Sequence, residues 1–207
     1  MAGQIWAAYD DDDGMPRYYA KVNKVFSCQP FKLQIAWLEP RLYDDETLAW
    51  IESGISITCG DFKLGKAHVS DQINTYSHMM VFERVQGQRG GFKIYPKKGD
   101  IWALYKEWDH LKVKEKKPGY IVVEILTDFS DKEGGKVWKL IKVDGFKTLF
   151  RRQPGKGHVE LISAVESRRF SHRIPAYCLS ADQGPRVPEG CWELDPAGTP
   201  PELITGK

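Results

Sequence analysis

The sequence predicts a mainly β chain: two tandem small barrels from an internal duplication, a short helix, and an extended proline-rich C-terminal tail. Three observations lead there. First, the 207 residues include 19 glycines and 12 prolines. Val, Ile, Thr and aromatic residues fill the runs between them, the pattern of short strands bounded by turns. Second, Gly3-Gln-Ile-Trp-Ala-Ala-Tyr9 returns 96 residues later as Gly99-Asp-Ile-Trp-Ala-Leu-Tyr105, with five of seven positions identical. Third, Tyr76-Ser-His78 returns as Phe170-Ser-His172 at an offset of 94, and a His-Val pair precedes each copy, at His68-Val69 and His158-Val159. Two matches at nearly one offset mark a repeat. The expected lobes are residues 1–86 and 97–195. A glycine-rich linker, 87–96, joins them, and an extended tail, 196–207, follows.

In lobe one, Ile5, Ala7 and Tyr9 alternate with Trp6 and Ala8 as a strand requires. Asp10-Asp-Asp-Asp-Gly14 supplies turn chemistry. Tyr18–Val22 and Phe31–Trp37 are the next strands, and Pro40 stops the second. Asp44–Ser53 is the helix candidate: Asp44 or Asp45 caps it, Leu48, Ile51 and nearby Trp50 give an apolar face, and Gly54 ends it. Ile55–Val85 returns to short strands. Lobe two repeats the plan with strands at Tyr120–Leu126 and Val137–Val143, separated by a turn at Gly134-Gly135. Pro185–Pro201 reads as extended, with Trp192 and Leu194 packing it onto a lobe.

Seven Trp, nine Tyr and nine Phe give even a half-length unit enough bulk for a core. No apolar run approaches the roughly 18 residues of a membrane span. The start carries no charged region followed by an apolar stretch. Strand pattern from the first residues suggests a piece of a longer chain. Cys28, Cys59, Cys178 and Cys191 show no CxxC spacing, and no histidines cluster at ligand spacing, so no metal or other cofactor is expected. Reduced thiols fit an intracellular protein. Residues 1–96 hold 10 Lys+Arg against 12 Asp+Glu, whereas 97–207 hold 20 against 16. Lys136–Arg173 alone holds ten basic and three acidic residues, either a solvated face or a surface for an acidic partner. Nucleophile-elbow, zinc-protease, P-loop and dinucleotide motifs are missing, so the chain is expected not to be an enzyme. His78 and His172, at matched repeat positions, suggest one structural hydrogen bond used twice.

The run Ala-Ala-Tyr-Asp-Asp-Asp-Asp-Gly-Met-Pro-Arg-Tyr-Tyr-Ala-Lys-Val resembles the opening hairpin of Tudor domains, and Ile35-Ala-Trp37 resembles their next strand. Bromo-adjacent homology domains share a similar opening. The resemblance implies SH3/Tudor-like barrels. Nearly the whole chain, through Gly-Gln-Ile-Trp-Ala-Ala-Tyr-Asp and Phe-Lys-Leu-Gln-Ile-Ala-Trp-Leu-Glu-Pro, is also similar to a plant domain of unknown function (the DUF 3444 type) found in DnaJ-like heat-shock proteins. That implies a chaperone or nuclear context. No His-Pro-Asp tripeptide, the J-domain hallmark, is present.

The Tudor resemblance places Tyr9, Tyr18 and Trp37 on three successive strands around one pocket, beside carboxylates such as Asp10 and Asp12. Methylated lysine keeps its charge but loses donors, and aromatic faces attract it at ~0.5–2 kcal/mol per ring. Each of these aromatics also suits a barrel core, as Trp6 and Trp102 do. Tyr18 and Tyr19 face opposite ways, so only one can line the pocket. In lobe two Tyr105 matches Tyr9, but Ile121 and Val143 replace Tyr18 and Trp37; Trp108 and Tyr120 are the residues that would rebuild a cage. The expected function is a nuclear, chromatin-associated reader of a histone tail carrying methyl-lysine. The rival readings are an adaptor or client-docking module of a J-protein and a nucleic-acid binder using Lys136–Arg173. Expected partners are histone peptide, weakly nucleic acid, and other chromatin or chaperone proteins, with no membrane.

Overall fold

The computed structural model describes residues 2–41, 45–87, 90–106, 119–179 and 190–205. The chain forms two compact units, Met1–Tyr95 and Pro96–Lys207. Each is built on one antiparallel sheet with few short helices, a mainly β, two-lobe fold.

Unit one contains β1 (Ile5–Tyr9), β2 (Pro16–Cys28), β3 (Phe31–Pro40), α1 (Asp45–Glu52), β4 (Gly60–Ser70), β5 (Tyr76–Met80), β6 (Glu83–Arg84) and β7 (Gly91–Ile94). Their order across the sheet is β5-β1-β2-β3-β4-β7-β6. The two edge strands, β5 and β6, are separated only by Val81 and Phe82. Three Cα steps from Met80 to Glu83 reach at most about 10–11 Å, so the sheet has to curl to bring its two edges towards each other. The concave face buries Ile5, Ala7, Tyr19, Ala36, Phe62 and Phe92. Tyr19 packs edge-on against Phe62 at 5.4 Å, and its hydroxyl donates to the Thr58 carbonyl at 2.8 Å.

Unit two contains β8 (Ile101–Tyr105), β9 (Tyr120–Ile125), β10 (Gly135–Lys142), β11 (Leu149–Arg152), β12 (Val159–Ile162), β13 (Phe170–Ile174), β14 (Ala176–Cys178), β15 (Cys191–Leu194) and the short helix α2 (Pro201–Thr205). The order is β13-β8-β9-β10-β11-β15-β14, with β12 also on β10. Again one bent segment, β13–Pro175–β14, supplies both edges. β11 and β12 pair with successive parts of β10, Leu140–Lys142 and Gly135–Trp138. Together they do what the single strand β4 does for β3. The interior cluster is Ile101, Ala103, Val122, Leu140, Phe150, Ile174 and Leu194.

The repeat therefore extends from sequence to strand order, and local details follow it. Gly3 and Gly99 both have positive φ (89° and 88°), and their N–H groups donate to Val22 and Ile125 at 2.7 and 2.8 Å. That backbone conformation favours glycine. Trp6 and Trp102 donate their indole N–H to Gln4 and Asp100, also 96 residues apart. Both edge strands shift register at the repeated motifs Tyr76-Ser-His78 and Phe170-Ser-His172, between Tyr76 and Met79 and between Phe170 and His172. The serine hydroxyls hydrogen-bond His78 and His172 Nδ1 at 3.0 and 2.9 Å. The histidine pair is thus one structural bond used twice.

Three details differ from expectation. Residues 87–96 are not a linker throughout, because Gly91–Ile94 is strand β7, held between β4 and β6. Residues 196–205 are not extended: a 3-10 turn (Pro196–Gly198) and α2 occupy them, Leu203 packs on the unit-two core, and Cys191–Leu194 is a sheet strand. Helix α1 buries Thr47 and Trp50, three residues apart, and leaves Leu48 and Ile51 exposed. The single large Trp50 ring sets the inward face in place of the Leu-Ile stripe.

Two consequences are measurable. Gly134 sits at φ 71° in the turn before β10, and a Cβ there would lie 2.0 Å from the Ile162 carbonyl oxygen. Backbone strain plus this overlap should cost roughly 2–5 kcal/mol in Gly134→Ala, read as a lower denaturation midpoint, whereas Gly145→Ala, with open space, loses only the strain. Ser163 and Glu166 form a capping box on the turn Ala164–Arg169. Burial pushes the Glu166 carboxyl up, but hydrogen bonds from Ser163 and the Arg169 guanidinium outweigh it and hold it below the ordinary value. Its contribution is full above the unfolded carboxylate pKa of about 4.3 and is lost as pH falls through the lower folded value. Melting curves below pH 5 should fall less steeply for Glu166→Gln than for the parent.

Candidate functional site

Residues opposed across a ladder share a face. Trp6 opposes Ala20, which opposes Trp37, and Met79 flanks Trp6 on the far side. One step along, Ala8 lies between Tyr18 on β2 and Tyr76 on β5. All of these lie on the outer face of unit one. Ala8 and Ala20 are fully buried, whereas Tyr18 is 47 % and Met79 50 % exposed. Trp6, Trp37 and Tyr76 are half-buried, resting on the cluster Ala20, Val22, Leu33 and Ile35. The exposed His68 ring stacks on Trp37 at 5.9 Å and 33°. Large rings thus surround two methyl-sized side chains. The Cα atoms of Trp6 and Trp37 are two strand spacings apart, about 9.5 Å.

Tyr18 and Trp37 therefore share an accessible face. Tyr9 is half-buried and pairs with Pro16 beyond a register shift that interrupts the alternation after Ala8. Its repeat mate Tyr105, on a strand with no such shift, is buried against Tyr120, ring centroids 5.6 Å apart. Sequence reasoning missed Trp6 and Tyr76, although β1 alternation places Trp6 beside Ala8 and the repeat marks Tyr76. Of the acidic turn, Asp10 is buried and Asp12 is exposed, its N–H donating to Asp10 Oδ1 at 2.9 Å. The buried Arg17 guanidinium reaches Asp13 at 2.5 and 2.8 Å and Asp10 at 3.4 Å. Asp10 and Asp13 thus have an internal counter-ion, and Asp11 and Asp12 face solvent.

Unit two uses the same positions differently. Ile121 stands where Tyr18 does, as expected, but Lys139, not Val143, stands where Trp37 does, because Lys139 opposes Val123 as Trp37 opposes Ala20. Trp102 is fully buried, with Phe170 edge-on at 5.5 Å and Phe129 against Phe170 at 5.2 Å. The expectation that Trp6 and Trp102 are both core holds for Trp102 alone. The reason lies after the second strand. In unit two the strand ends at Ile125 and the chain turns back, bringing Phe129 over Phe170. In unit one the equivalent strand runs on from Val22 to Cys28 as a hairpin arm. Tyr120 packs on the inner core and lies 6.2 Å from the His172 ring. Trp108 lies outside the described residues.

Much of the basic stretch is internally balanced. Arg152 pairs with Glu124, Arg169 with Glu160 and Glu166, and Arg173 with Asp100. Lys136, Lys139, Lys147 and Arg151 remain exposed. Among the described residues, no group of three or more His, Cys, Asp or Glu is placed to hold a metal ion, and no helix is long and apolar enough to cross a membrane. All four cysteines are free, and burial pushes the Cys59 thiol well above its ordinary pKa, the inert form.

No curated protein and no solved structure matches the chain. A family model described as "Domain of unknown function (DUF3444)" matches residues 1–183. That span takes in all of unit one and unit two through β14, so it covers the repeated strand plan itself. The chain belongs to the DUF3444 family.

Proposed function

We propose that this protein is a non-enzymatic, nuclear, chromatin-associated module that reads a histone tail by holding methyl-lysine on the outer face of unit one. The observation that carries the reading is the grouping of Trp6, Tyr18, Trp37 and Tyr76, all at least partly accessible, around buried Ala8 and Ala20. A trimethylated ammonium has no N–H left to offer water. Rings on either side can satisfy its charge through their quadrupoles while covering its methyl groups. Unmodified lysine loses more hydration on entry. The exposed Asp11 and Asp12 favour approach of a basic peptide.

Binding of the full chain to histone peptides, measured by titration calorimetry, tests this. Trimethylated peptide should bind at least tenfold more tightly than its unmodified twin. Tyr18→Ala removes an exposed ring and should leave the melting temperature nearly unchanged. It should weaken the methylated peptide by about 2–30-fold, the loss of one ring at 0.5–2 kcal/mol. Tyr18→Phe should retain most of the affinity. Equal affinity for methylated and unmodified peptides would defeat the proposal and favour a docking module for apolar peptide.

A further inference from the structure

The inner face of unit one carries a groove of about 490 Å³ lined by Lys21, Leu64, Arg84, Val85, Gly91 and Phe92, among others. Register explains its charge. Lys21 opposes Ile5 and Ala36, and Arg84 opposes Phe92, which opposes Phe62; all belong to the inner face. Asp61, Lys93 and Glu83 form the neighbouring row, and alternation turns that row to the other side. The groove thus receives cations, and among the described residues no carboxylate lines it. Arg41 donates its backbone N–H to the Asp61 carbonyl and belongs to that other row, so the cations of the groove are Lys21 and Arg84. The Lys21 ammonium is held below its ordinary pKa by burial and by the Arg84 charge.

The repeat shows what belongs there. Glu124 of unit two opposes Ile101 as Lys21 opposes Ile5. Cys178 opposes Trp192 as Arg84 opposes Phe92. At this position unit two supplies its own oxyanion. The Glu124 carboxylate accepts from Arg152 at 2.7 and 2.8 Å and from the Trp192 indole at 3.3 Å. Unit one has Lys21 in place of that carboxylate and Arg84 in place of the thiol; the Lys21 ammonium donates to Asn23 Oδ1 at 2.9 Å, and no carboxylate among the described lining residues balances the two charges, which suits the groove to an anion from outside. One guanidinium meets one carboxylate in unit two. Two lining cations match a dianion. A phosphate monoester has that charge near neutral pH and three acceptor oxygens. A nucleic-acid backbone would instead call for a track of positive charge, and residues 1–96 are net acidic, with 10 Lys+Arg against 12 Asp+Glu.

We infer that the inner-face groove of unit one, with Lys21 and Arg84 as its cations, binds a phosphate monoester carried on a peptide side chain. The site lies on the opposite face of β2 from the aromatic cup and does not depend on it. Calorimetry on the full chain with a short alanine-flanked phosphoserine peptide, its unphosphorylated twin, inorganic phosphate and a single-stranded oligonucleotide tests it. The phosphopeptide should bind at least tenfold more tightly than any of the other three. Arg84→Gln, an exposed position, should weaken it at least tenfold with an unchanged melting temperature and unchanged binding to trimethyl-lysine peptide. Lys21→Gln should act likewise, and in the parent protein the Lys21 pKa, followed by NMR, should rise on binding. Equal binding of the two peptides, inorganic phosphate or oligonucleotide as the tighter ligand, or unaltered phosphopeptide affinity in both variants would each overturn the inference.

Discussion

The alternation of side chains along β2 is the constraint on which the rest of unit one depends. This strand is paired on both sides, so its residues have no freedom to choose a face. Tyr18, Ala20 and Val22 go outward between Trp6 and Trp37, and Tyr19 and Lys21 go inward between Ile5, Ala7 and Ala36. A slip of one residue would bury the Lys21 ammonium beneath the tryptophans and expose Tyr19, whose ring packs on Phe62 and whose hydroxyl is tied to Thr58. The buried, hydrogen-bonded Tyr19 therefore fixes the register. Fixing the register in turn opens two chemically unlike surfaces on the two sides of one strand.

Duplication explains how such surfaces arise without a new fold. Both units order their strands alike, start β1 and β8 from a glycine of positive φ, and repeat the Ser–His bond at the edge bulge. What differs is how each copy fills the shared positions. Unit two covers its outer face with Phe129 and Phe170 and neutralises its inner position with Glu124 and Arg152. Unit one leaves rings uncovered on one face and cations without a carboxylate on the other. Length accounts for part of this. The six extra residues of β2, Asn23 to Cys28, carry the chain outward as a hairpin where unit two folds back.

The sequence made the repeat, the β content and most strands legible because period-two alternation and matched Trp and Tyr positions are local signals. Tyr18 and Trp37 share a face because both lie on strands of clear alternation. The face of Tyr9 was not legible, because a register shift interrupts the alternation between Ala8 and Tyr9. Sequence reasoning failed at Trp6 because identical residues in the two copies looked equally buried; only the chain after Val22 and Ile125 decides whether a ring is covered. The linker was misread for a similar reason. Glycines near residue 90 mark a turn, but nothing local reveals that Gly91–Ile94 then pairs with β4. Lys139 replaced Val143 as the mate of Trp37 once register, not sequence spacing, set the correspondence.

Stability helps to explain why the two copies should differ in this way. A large aromatic covers roughly 150–250 Å² when buried, worth about 4–6 kcal/mol at ~25 cal/mol per Å². A ring left half open forfeits about half of that. Several such rings lie together on unit one, alongside like charges on its inner face, and a marginally stable fold keeps such features only where something offsets them. Unit two shows that this fold can close the same positions with ordinary side chains, since Trp102 is fully buried and Glu124 is paired. The open state of unit one is therefore not imposed by its strand plan. It follows from particular residues at particular register positions, and a bound partner on either face would restore the burial and charge balance that unit two achieves by itself.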